Sequence, residues 1–260
     1  MAAAGNDFIV VDNRRGFVKN PAHLAKTLCD RKFSIGADGL LLLEKSKKAD
    51  FRMRIFNPDG SQAEMCGNGV RCLAQFAVQK KIAKTKHSIE TLSGMIMAFV
   101  RQNVVKAKMV TPKELRLNVA VKVNGSSHLL NLIDTGVPHA VKVLRSVDKA
   151  DVEGLGRLLR RHEFFSPRGT NVDFISFGPG ALVKIRTYER GVEAETLACG
   201  TGSTAGALVA AALKDFKSPV KVKTQGGEVL KVYFSKKDGR FQEVYLEGKV
   251  VMSFKGRVKI

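Results

Sequence analysis

Two short stretches of this chain carry nearly the same sequence, and they decide the fold. The first is Ala63-Glu64-Met65-Cys66-Gly67-Asn68-Gly69, and the second is Ala194-Glu195-Thr196-Leu197-Ala198-Cys199-Gly200-Thr201-Gly202. Each places one cysteine directly before a Gly-x-Gly turn, and an apolar segment with helical spacing follows each turn. A cysteine repeated at two helix starts predicts one active site that is built from two matched halves.

The similarity extends along the whole chain. Cys66 and Cys199 are 133 positions apart, and three earlier segments repeat in the same order at spacings of 131 to 133: 5–11 with 136–142, 36–43 with 169–176, and 52–57 with 184–189. A repeat of this length that occurs twice predicts a fused pair of similar domains rather than a solenoid. We expect an N-terminal half over 1–115 and a C-terminal half over 116–248.

The local patterns fill each half with strands around one main helix. Short segments rich in Val, Ile, Leu and Phe predict strands, and helical spacing predicts helices over 21–30, 69–80, 148–162 and 203–214. Segment 203–214 is apolar nearly all round, which is typical of a buried central helix. Pro112 and the charged residues up to 118 predict the break between the halves.

Composition limits the class of protein. The chain has 260 residues, 44% of them apolar, and no apolar run approaches the roughly 20 residues that a membrane span needs. The N-terminus lacks the basic and apolar regions of a secretion signal. Four cysteines without such a signal indicate a reducing compartment, so we expect a cytoplasmic protein with no membrane association.

The chain is strongly basic, with a net charge of +20 and a pI of about 10.0. Nucleic acid is therefore a candidate partner. However, the basic residues are spread along the chain and mixed with acidic ones, and segment 214–260 holds 12 Lys or Arg against 5 Asp or Glu. This distribution indicates solvated strand faces and disfavours nucleic acid, whereas a positive field would attract a dicarboxylate metabolite.

A cysteine before a Gly-x-Gly helix start has a chemical use. The first N–H groups of a helix lack intrahelical partners and carry partial positive charge, and glycine lets a carboxylate approach them. The same field predicts a lowered thiol pKa at Cys66 and Cys199. Two such turns could remove a proton from one face of an α-carbon and return one to the other face, which inverts the centre.

The other two cysteines do not indicate a functional site or a metal site. Cys29 and Cys72 have no Gly-x-Gly context and are interpreted as core residues. The sequence has no Cys-x-x-Cys and no pair of histidines with ligand spacing, so it predicts no metal site.

A set of motifs, in order along the whole chain, resembles the diaminopimelate epimerase family. They are Gly5-Asn6-Asp7-Phe8, Gly36-Ala37-Asp38-Gly39, Phe56-Asn57-Pro58-Asp59-Gly60-Ser61, Cys66-Gly67-Asn68-Gly69-Val70-Arg71-Cys72, Thr170-Asn171-Val172, and Tyr188-Glu189-Arg190-Gly191 followed by Glu195 to Gly202. The resemblance implies an α/β (α+β) fold of two pseudo-symmetric domains, each a mostly antiparallel sheet around a central helix. It also implies an active site in the cleft between them and a C-terminal strand, about 249–260, that returns to the first domain.

The resemblance further implies the reaction and the site. The reaction is the conversion of LL-2,6-diaminopimelate to the meso form without a cofactor, in lysine and peptidoglycan synthesis, by a homodimer. Cys66 and Cys199 would be the acid/base thiols, with Glu189 accepting a hydrogen bond from one thiol and His139 favouring the thiolate on the other side. The expected substrate-binding residues are Asn6, Gly39, Asn57, Gly67, Asn68, Asn171, Glu189, Arg190, Gly200 and Thr201.

Two alternatives to this function stay open. One is a racemase of the same fold for another amino acid, such as histidine or a proline derivative, because Val137 and Gly39 depart from residues that many family members carry. The other is a basic nucleic-acid-binding protein that has kept the fold without catalysis. The sequence does not decide which thiol takes the proton from which stereoisomer.

Overall fold

The computed structural model describes residues 1–258, and the last two residues of the predicted C-terminal strand, Lys259 and Ile260, fall outside them. The chain divides into two compact units. Unit 1 comprises Met1–Lys108 with Gly248–Ile260, and unit 2 comprises Met109–Glu247. The boundary at Met109 precedes the expected one at 115/116, which lies inside a strand, β9.

Unit 1 is a sheet wrapped on one long helix. Its elements are β1 Ala2–Ala3, β2 Asn6–Asp12, α1 Pro21–Leu28, β3 Gly39–Glu44, β4 Phe51–Phe56, β5 Gln62–Ala63, α2 Gly67–Gln79, β6 Lys86–Thr91, β7 Gly94–Arg101 and β8 Val104–Lys108. β2 pairs with β3, and β4 with β6, in parallel; β3–β4, β4–β5, β6–β7 and β7–β8 are antiparallel. The helix α2 buries Val70, Leu73 and Ala74 in the core of this unit.

Unit 2 repeats that plan. Its elements are β9 Lys113–Val123, β10 Ser126–Asp134, β11 Pro138–Val143, α3 Val152–Arg160, β12 Asn171–Gly178, β13 Leu182–Glu189, β14 Ala194–Thr196, α4 Gly200–Lys214, β15 Val220–Lys223, β16 Val229–Lys237 and β17 Arg240–Lys249. β11 pairs with β12, and β13 with β15, in parallel; β9–β10, β10–β11, β12–β13, β13–β14, β15–β16 and β16–β17 are antiparallel.

The two units are therefore equivalent over four strands and the central helix. β2, β3, β4, β5 and α2 of unit 1 correspond in order and pairing to β11, β12, β13, β14 and α4 of unit 2. This confirms the predicted fold class of two pseudo-symmetric halves, each a mostly antiparallel sheet around a central helix. α4 approaches the sheet closely at Gly206, where a Cβ would lie 3.2 Å from Ile175 and 3.3 Å from Ile185.

The helix starts follow the predicted signals. Asn20 caps α1 by accepting a hydrogen bond from the His23 N–H at 3.1 Å, and Pro21 takes the first helical position. The helix predicted over 148–162 is interrupted. A 3-10 turn spans Val147–Lys149, and α3 begins after Asp151, whose carboxylate accepts the N–H of Gly154. The 3-10 turn ends with its C-cap Ala150, and Asp151 starts α3 as a separate helix. The amphipathic pattern alone does not reveal this interruption.

The segment after Glu247 belongs to unit 1, and it is mostly irregular. Ala2 and Val251 form an isolated antiparallel bridge, with backbone hydrogen bonds of 2.8 and 2.9 Å, and Val250 donates to Asn103 O at 2.8 Å. From Met252 to Val258 no strand is present. Within residues 1–258, none of the helices is long and apolar enough to cross a membrane.

Candidate active site

Cys66 caps the central helix of unit 1. It is the N-cap of α2 with an extended backbone, and its Sγ accepts the Gly69 N–H at 3.5 Å. Gly69 packs on the sheet, because a Cβ there would lie 3.1 Å from a Leu41 methyl and 3.6 Å from an Ile55 methyl. At Gly67 a Cβ would meet nothing within 4 Å. The first glycine of the turn therefore faces open space, and the second serves packing.

A chain of polar side chains runs through unit 1 beside this turn. Arg71 is fully buried and donates to Asn68 Oδ1 at 2.9 Å, Asn68 Nδ2 donates to Asn6 Oδ1 at 2.6 Å, and Asn6 Nδ2 donates to Asp38 Oδ2 at 2.9 Å. A guanidinium only donates and a carboxylate only accepts, so the two charged ends fix the orientation of both amides. Asn6 and Asn68 are among the site residues predicted from the sequence, whereas Arg71 and Asp38 are not.

The acidic end of this chain is anchored by an arginine. Arg31 donates to Asp38 Oδ1 at 2.7 Å and to Asp7 at 2.7 and 3.0 Å. The hydrogen bond from Arg31 lowers the pKa of Asp7, although partial burial acts in the opposite direction. Arg31 therefore holds Asp7 and Asp38 together, and Asp38 in turn fixes the orientation of the Asn6 amide.

The other residues predicted in unit 1 lie on neighbouring elements. Asn57 begins the turn after β4, where its amide donates to Ser61 Oγ at 2.9 Å and its N–H to Ser61 O at 2.8 Å. Gly39 is buried at the start of β3, and a Cβ there would lie 3.0 Å from Phe56 O. A larger residue at 39 would thus require a shift of β4.

Cys199 caps the central helix of unit 2 in the same way as Cys66 caps α2. Its Sγ accepts the Gly202 N–H at 3.4 Å and lies 3.3 Å from Thr201 Oγ1. Thr201 O also accepts the Thr135 hydroxyl at 3.1 Å, which ties the turn to the end of β10. Gly200 and Thr201 start α4 as Gly67 and Asn68 start α2.

The pKa of Cys199 differs from the expectation. Burial, then the carboxylates of Glu189 and Asp173, raise the pKa of this thiol well above its ordinary value, while Thr201 and the Gly202 N–H act weakly in the opposite direction. The prediction of a lowered thiol pKa is therefore wrong for Cys199. The helix terminus acts on it as predicted, but desolvation and two nearby carboxylates outweigh that effect.

His139 and Glu189 both lie in unit 2, which is also the unit of Cys199. His139 is buried and its Nδ1 lies 2.7 Å from Asp173 Oδ2, a partner that the sequence analysis missed. Glu189 Oε2 accepts the Thr196 hydroxyl at 3.0 Å. Burial raises the pKa of Glu189 and Asp173 adds to the effect, against the hydrogen bond from Thr196 and the nearby His139.

Asn171 and Arg190 form a cationic corner of unit 2. The Arg190 N–H donates to Asn171 Oδ1 at 2.8 Å, and its Nη1 donates to Arg168 O at 2.8 Å. Burial, followed by the charges of Arg160 and Arg168, lowers the pKa of Arg190. Arg160 is paired with Glu193 at 2.9 Å and Arg168 with Asp134 at 3.5 Å, so Arg190 is the guanidinium of this corner that suits a carboxylate of a bound molecule.

The chemistry available is that of thiols and carboxylates. Within residues 1–258, no group of three or more His, Cys, Asp or Glu side chains is arranged to hold a metal ion. Each central helix instead directs its unpaired N–H groups past a thiol, where a carboxylate of a bound molecule would be stabilised.

The comparison with known proteins fits this arrangement. A family model described as diaminopimelate epimerase matches residues 1–114 and 131–253. The chain belongs to the diaminopimelate epimerase family. Members of this family are isomerases that convert LL-diaminopimelate to the meso form in lysine biosynthesis.

Relatives of the family align along the full length. A diaminopimelate epimerase from Aquifex aeolicus (strain VF5) is 42% identical over 271 residues, covering 99% of this chain and 96% of that protein. One from Chlorobaculum tepidum is 40% identical over 264 residues and covers all of both chains. The family assignment therefore applies to both units.

Solved structures with much lower identity share the fold. A phenazine biosynthesis protein of the PhzF family from Bacillus anthracis has a TM-score of 0.73 at 17% identity, covering 96% of this chain and 92% of its own. A probable proline racemase from Agrobacterium radiobacter K84 has a TM-score of 0.69 at 16% identity, covering 95% and 88%. At such low identities these structures support the fold assignment only.

Proposed function

We propose that this chain converts LL-2,6-diaminopimelate to meso-diaminopimelate, with Cys66 and Cys199 as the acid/base pair and without a cofactor. The observation that carries the proposal is the matched pair of caps. Each cysteine is the N-cap of a central helix, and each Sγ accepts the N–H of the second glycine of its turn. Within a family of isomerases, two equivalent thiols suit a reaction that needs one acid and one base.

The proton balance of the reaction is simple. The thiolate of one cysteine takes the α-proton and becomes a thiol, which leaves a carbanion at the α-carbon. The thiol of the other cysteine then gives its proton to the opposite face and becomes a thiolate. The amino acid is inverted with no net change in protons, and the next turnover starts from the reversed pair.

The carbanion is the costly intermediate, because the α-proton of an amino acid is very weakly acidic. Its charge spreads onto the α-carboxylate, which we place at the N–H groups of Gly67-Asn68 and Gly200-Thr201. Backbone donors already held in position stabilise such charge without reorganising, and the exclusion of water strengthens them.

The distal end of the substrate carries a second amino acid group. We assign its carboxylate to the cationic corner around Arg190, with Asn57 and Asn171 as further polar contacts. The fixed amides of Asn6 and Asn68 each keep a second N–H for the substrate. A substrate with one zwitterionic end would leave the charge of Arg190 unmatched.

The wider setting is part of the same proposal. We expect a cytoplasmic homodimer whose product serves lysine and peptidoglycan synthesis. The thiol chemistry supports a reducing location, since joining the two cysteines in a disulfide would stop the reaction.

Deuterium exchange tests the function. Purified protein is incubated in deuterated water with LL-diaminopimelate, and separately with histidine, proline and hydroxyproline. We expect α-deuterium and the meso isomer from diaminopimelate. Label in another amino acid alone would favour the first alternative, a racemase of different specificity. Within the described residues 1–258, no contact favours the nucleic-acid alternative.

Cysteine variants test the mechanism in the same assay. We expect Cys66→Ser and Cys199→Ser each to lower turnover at least about a hundredfold, because a hydroxyl is a much weaker acid than a thiol. The matched control is Cys29→Ala, which removes a buried thiol with a pKa raised to about 11 by its burial. Full turnover in either serine variant would contradict the two-thiol mechanism.

A further inference from the structure

Asp173 is a fully buried carboxylate at a core position of unit 2. It lies in the middle of β12, on the face that α4 covers, between Asn171 and Ile175 of the same face. A buried carboxylate is costly unless its oxygens are paired and hydrogen-bonded. Packing alone would place an apolar residue here.

The equivalent position in unit 1 shows which residues pack under a turn of this kind without a charge. Under the turn of unit 1, Gly69 rests on Leu41 and Ile55, which face each other across β3 and β4. Under the turn of unit 2, Gly202 rests instead on Asp173 and Thr187, which face each other across β12 and β13. The same fold thus supports one thiol turn on hydrocarbon and the other on a carboxylate, so the two halves differ electrostatically at this position.

The partners of Asp173 determine where His139 carries its proton. Asp173 Oδ1 accepts the Thr187 hydroxyl at 2.7 Å, and Oδ2 lies 2.7 Å from His139 Nδ1. Since an ionised carboxylate only accepts, Nδ1 must be the donor.

The other ring nitrogen faces a donor. The Arg190 N–H fixes Asn171 Oδ1, so the Asn171 amide nitrogen points to Pro138 O at 3.3 Å and to His139 Nε2 at 3.5 Å. The contacts on both nitrogens therefore fix the orientation of the His139 ring, with the Nδ1–H directed to Asp173.

The same carboxylate adjoins the Cys199 turn. A Cβ on Gly202 would lie 2.4 Å from Asp173 Oδ1, while the Gly202 N–H donates to Cys199 Sγ. The titratable groups of unit 2 around this thiol are Asp173 on β12, Glu189 on β13 and, beyond them, His139 on β11.

We propose that Asp173 is a positioning residue that holds His139 with its Nδ1–H directed to β12 and, together with Glu189, keeps Cys199 protonated in the free enzyme. The raised pKa of Cys199 supports this assignment, since both carboxylates contribute to it. In terms of the proposed function, on which this last step rests, Cys66 then takes the α-proton and Cys199 gives one when the free enzyme first meets substrate.

Asp173→Asn removes the charge and keeps the shape. The amide oxygen of asparagine still accepts from His139, and its NH2 group faces the Thr187 hydroxyl, which accepts in turn. The control is Asp148→Asn, an exposed carboxylate of unit 2 whose side chain is 70% exposed and lies 3.9 Å from Lys184.

The first experiment titrates the thiols without substrate. Protein labelled with ¹³Cβ-cysteine is followed by NMR against pH, and Cys66→Ser and Cys199→Ser assign the signals. We expect Asp173→Asn to lower the midpoint of Cys199 by about 1 to 3 pH units and to leave that of Cys66 unchanged, with no change in Asp148→Asn. An unchanged or higher Cys199 midpoint in folded Asp173→Asn overturns the proposal.

The second experiment needs no Asp173 variant and so does not depend on its folding. Long-range ¹H–¹⁵N spectra of ¹⁵N-histidine protein report which ring nitrogen carries the proton, with His139→Gln as the assignment control. We expect His139 to carry a proton on Nδ1. A proton on Nε2 with none on Nδ1 overturns the proposal. Neither experiment involves turnover, so their failure is distinct from failure of the deuterium-exchange test.

Discussion

An added methyl group at Gly202 should destabilise the protein far more than one at Gly67 or Gly69 in the turn of unit 1. In Gly202→Ala the new Cβ would lie 2.4 Å from Asp173 Oδ1, against 3.4 Å for an ordinary contact, and 3.2 Å from Cys199 Cβ and Thr187 Oγ1. The carboxylate cannot move 1.0 Å freely, since it is fully buried and accepts two hydrogen bonds of 2.7 Å.

The magnitude follows from two costs. Overpacking a core costs about 1 to 3 kcal/mol. Weakening a hydrogen bond to a charged, buried group costs about 1.5 to 3 kcal/mol more. Replacing a helical glycine by alanine returns at most about 1 kcal/mol. We expect Gly202→Ala to lose about 2 to 4 kcal/mol of unfolding free energy, or roughly 30- to 1000-fold in the folding equilibrium.

Gly69→Ala and Gly67→Ala are the matched controls. At Gly69 the new Cβ would meet the tip of Leu41 at 3.1 Å, which can turn away, and at Gly67 it would meet nothing within 4 Å. Both should stay within about 1 kcal/mol of the wild type. The assay is urea unfolding followed by circular dichroism. If Gly202→Ala is as stable as Gly67→Ala, the close packing of Asp173 under the turn is refuted.

Three further predictions follow from the contacts. Asp38→Asn should raise KM at least about tenfold with a smaller effect on kcat, because the Asn6 amide loses the charged acceptor that orients it; an unchanged KM would contradict the role of the chain from Arg71 to Asp38. Arg31→Gln should be less stable than the wild type at pH 7, and the difference should vanish in acid: Arg31 lowers the pKa of Asp7 below its unfolded value of 3.8, so this stability is present above 3.8 and is lost as pH falls through the folded pKa. The check is urea unfolding across pH, and a gap that does not shrink as the pH is lowered into the acid range would refute it. Finally, mild oxidation should join Cys66 to Cys199 and abolish turnover reversibly with a reductant, whereas mass spectrometry that finds both thiols reduced after inactivation would count against their acting on one carbon.

The sequence was enough to predict the architecture, because the duplicated segments sit where the equivalent elements lie. Gly67 and Gly200 do begin the two central helices. The other equivalent elements of the two units are separated along the chain by nearly the same number of residues as the repeated segments. The starts of the two central helices could be predicted because the residues that cap a helix are close together in sequence.

The segment 112–118 shows where local patterns failed. It was interpreted as a break, but β9 begins at Lys113. Glu114 and Asn118 have positive φ angles of 56° and 54°, and the pairing with β10 shifts register twice along this strand. Each irregularity interrupts the alternation of buried and exposed residues, so the strand does not show a period of two.

The motifs predict candidate site residues, among them Cys66, Cys199 and the amides, but not the electrostatics around them. The pKa of Cys199 is raised first by burial and then by Glu189 and Asp173, which the pairing of β13 and β12 brings near it. A carboxylate among Val172, Phe174 and Ile175 was the one available signal, since an acidic residue in an apolar strand rarely lacks a buried partner.

Protein synthesis runs in one direction along the chain, and this gives the bridge between Ala2 and Val251 a consequence. Val250 is 2% exposed in the core of unit 1, yet the ribosome adds it only after all of unit 2 has been made. The edge of the nascent first unit at Ala2 and Asn103 therefore stays unfilled until the residues after Glu247 have been made. Loss of the residues after Glu247 should consequently damage the unit that was made first.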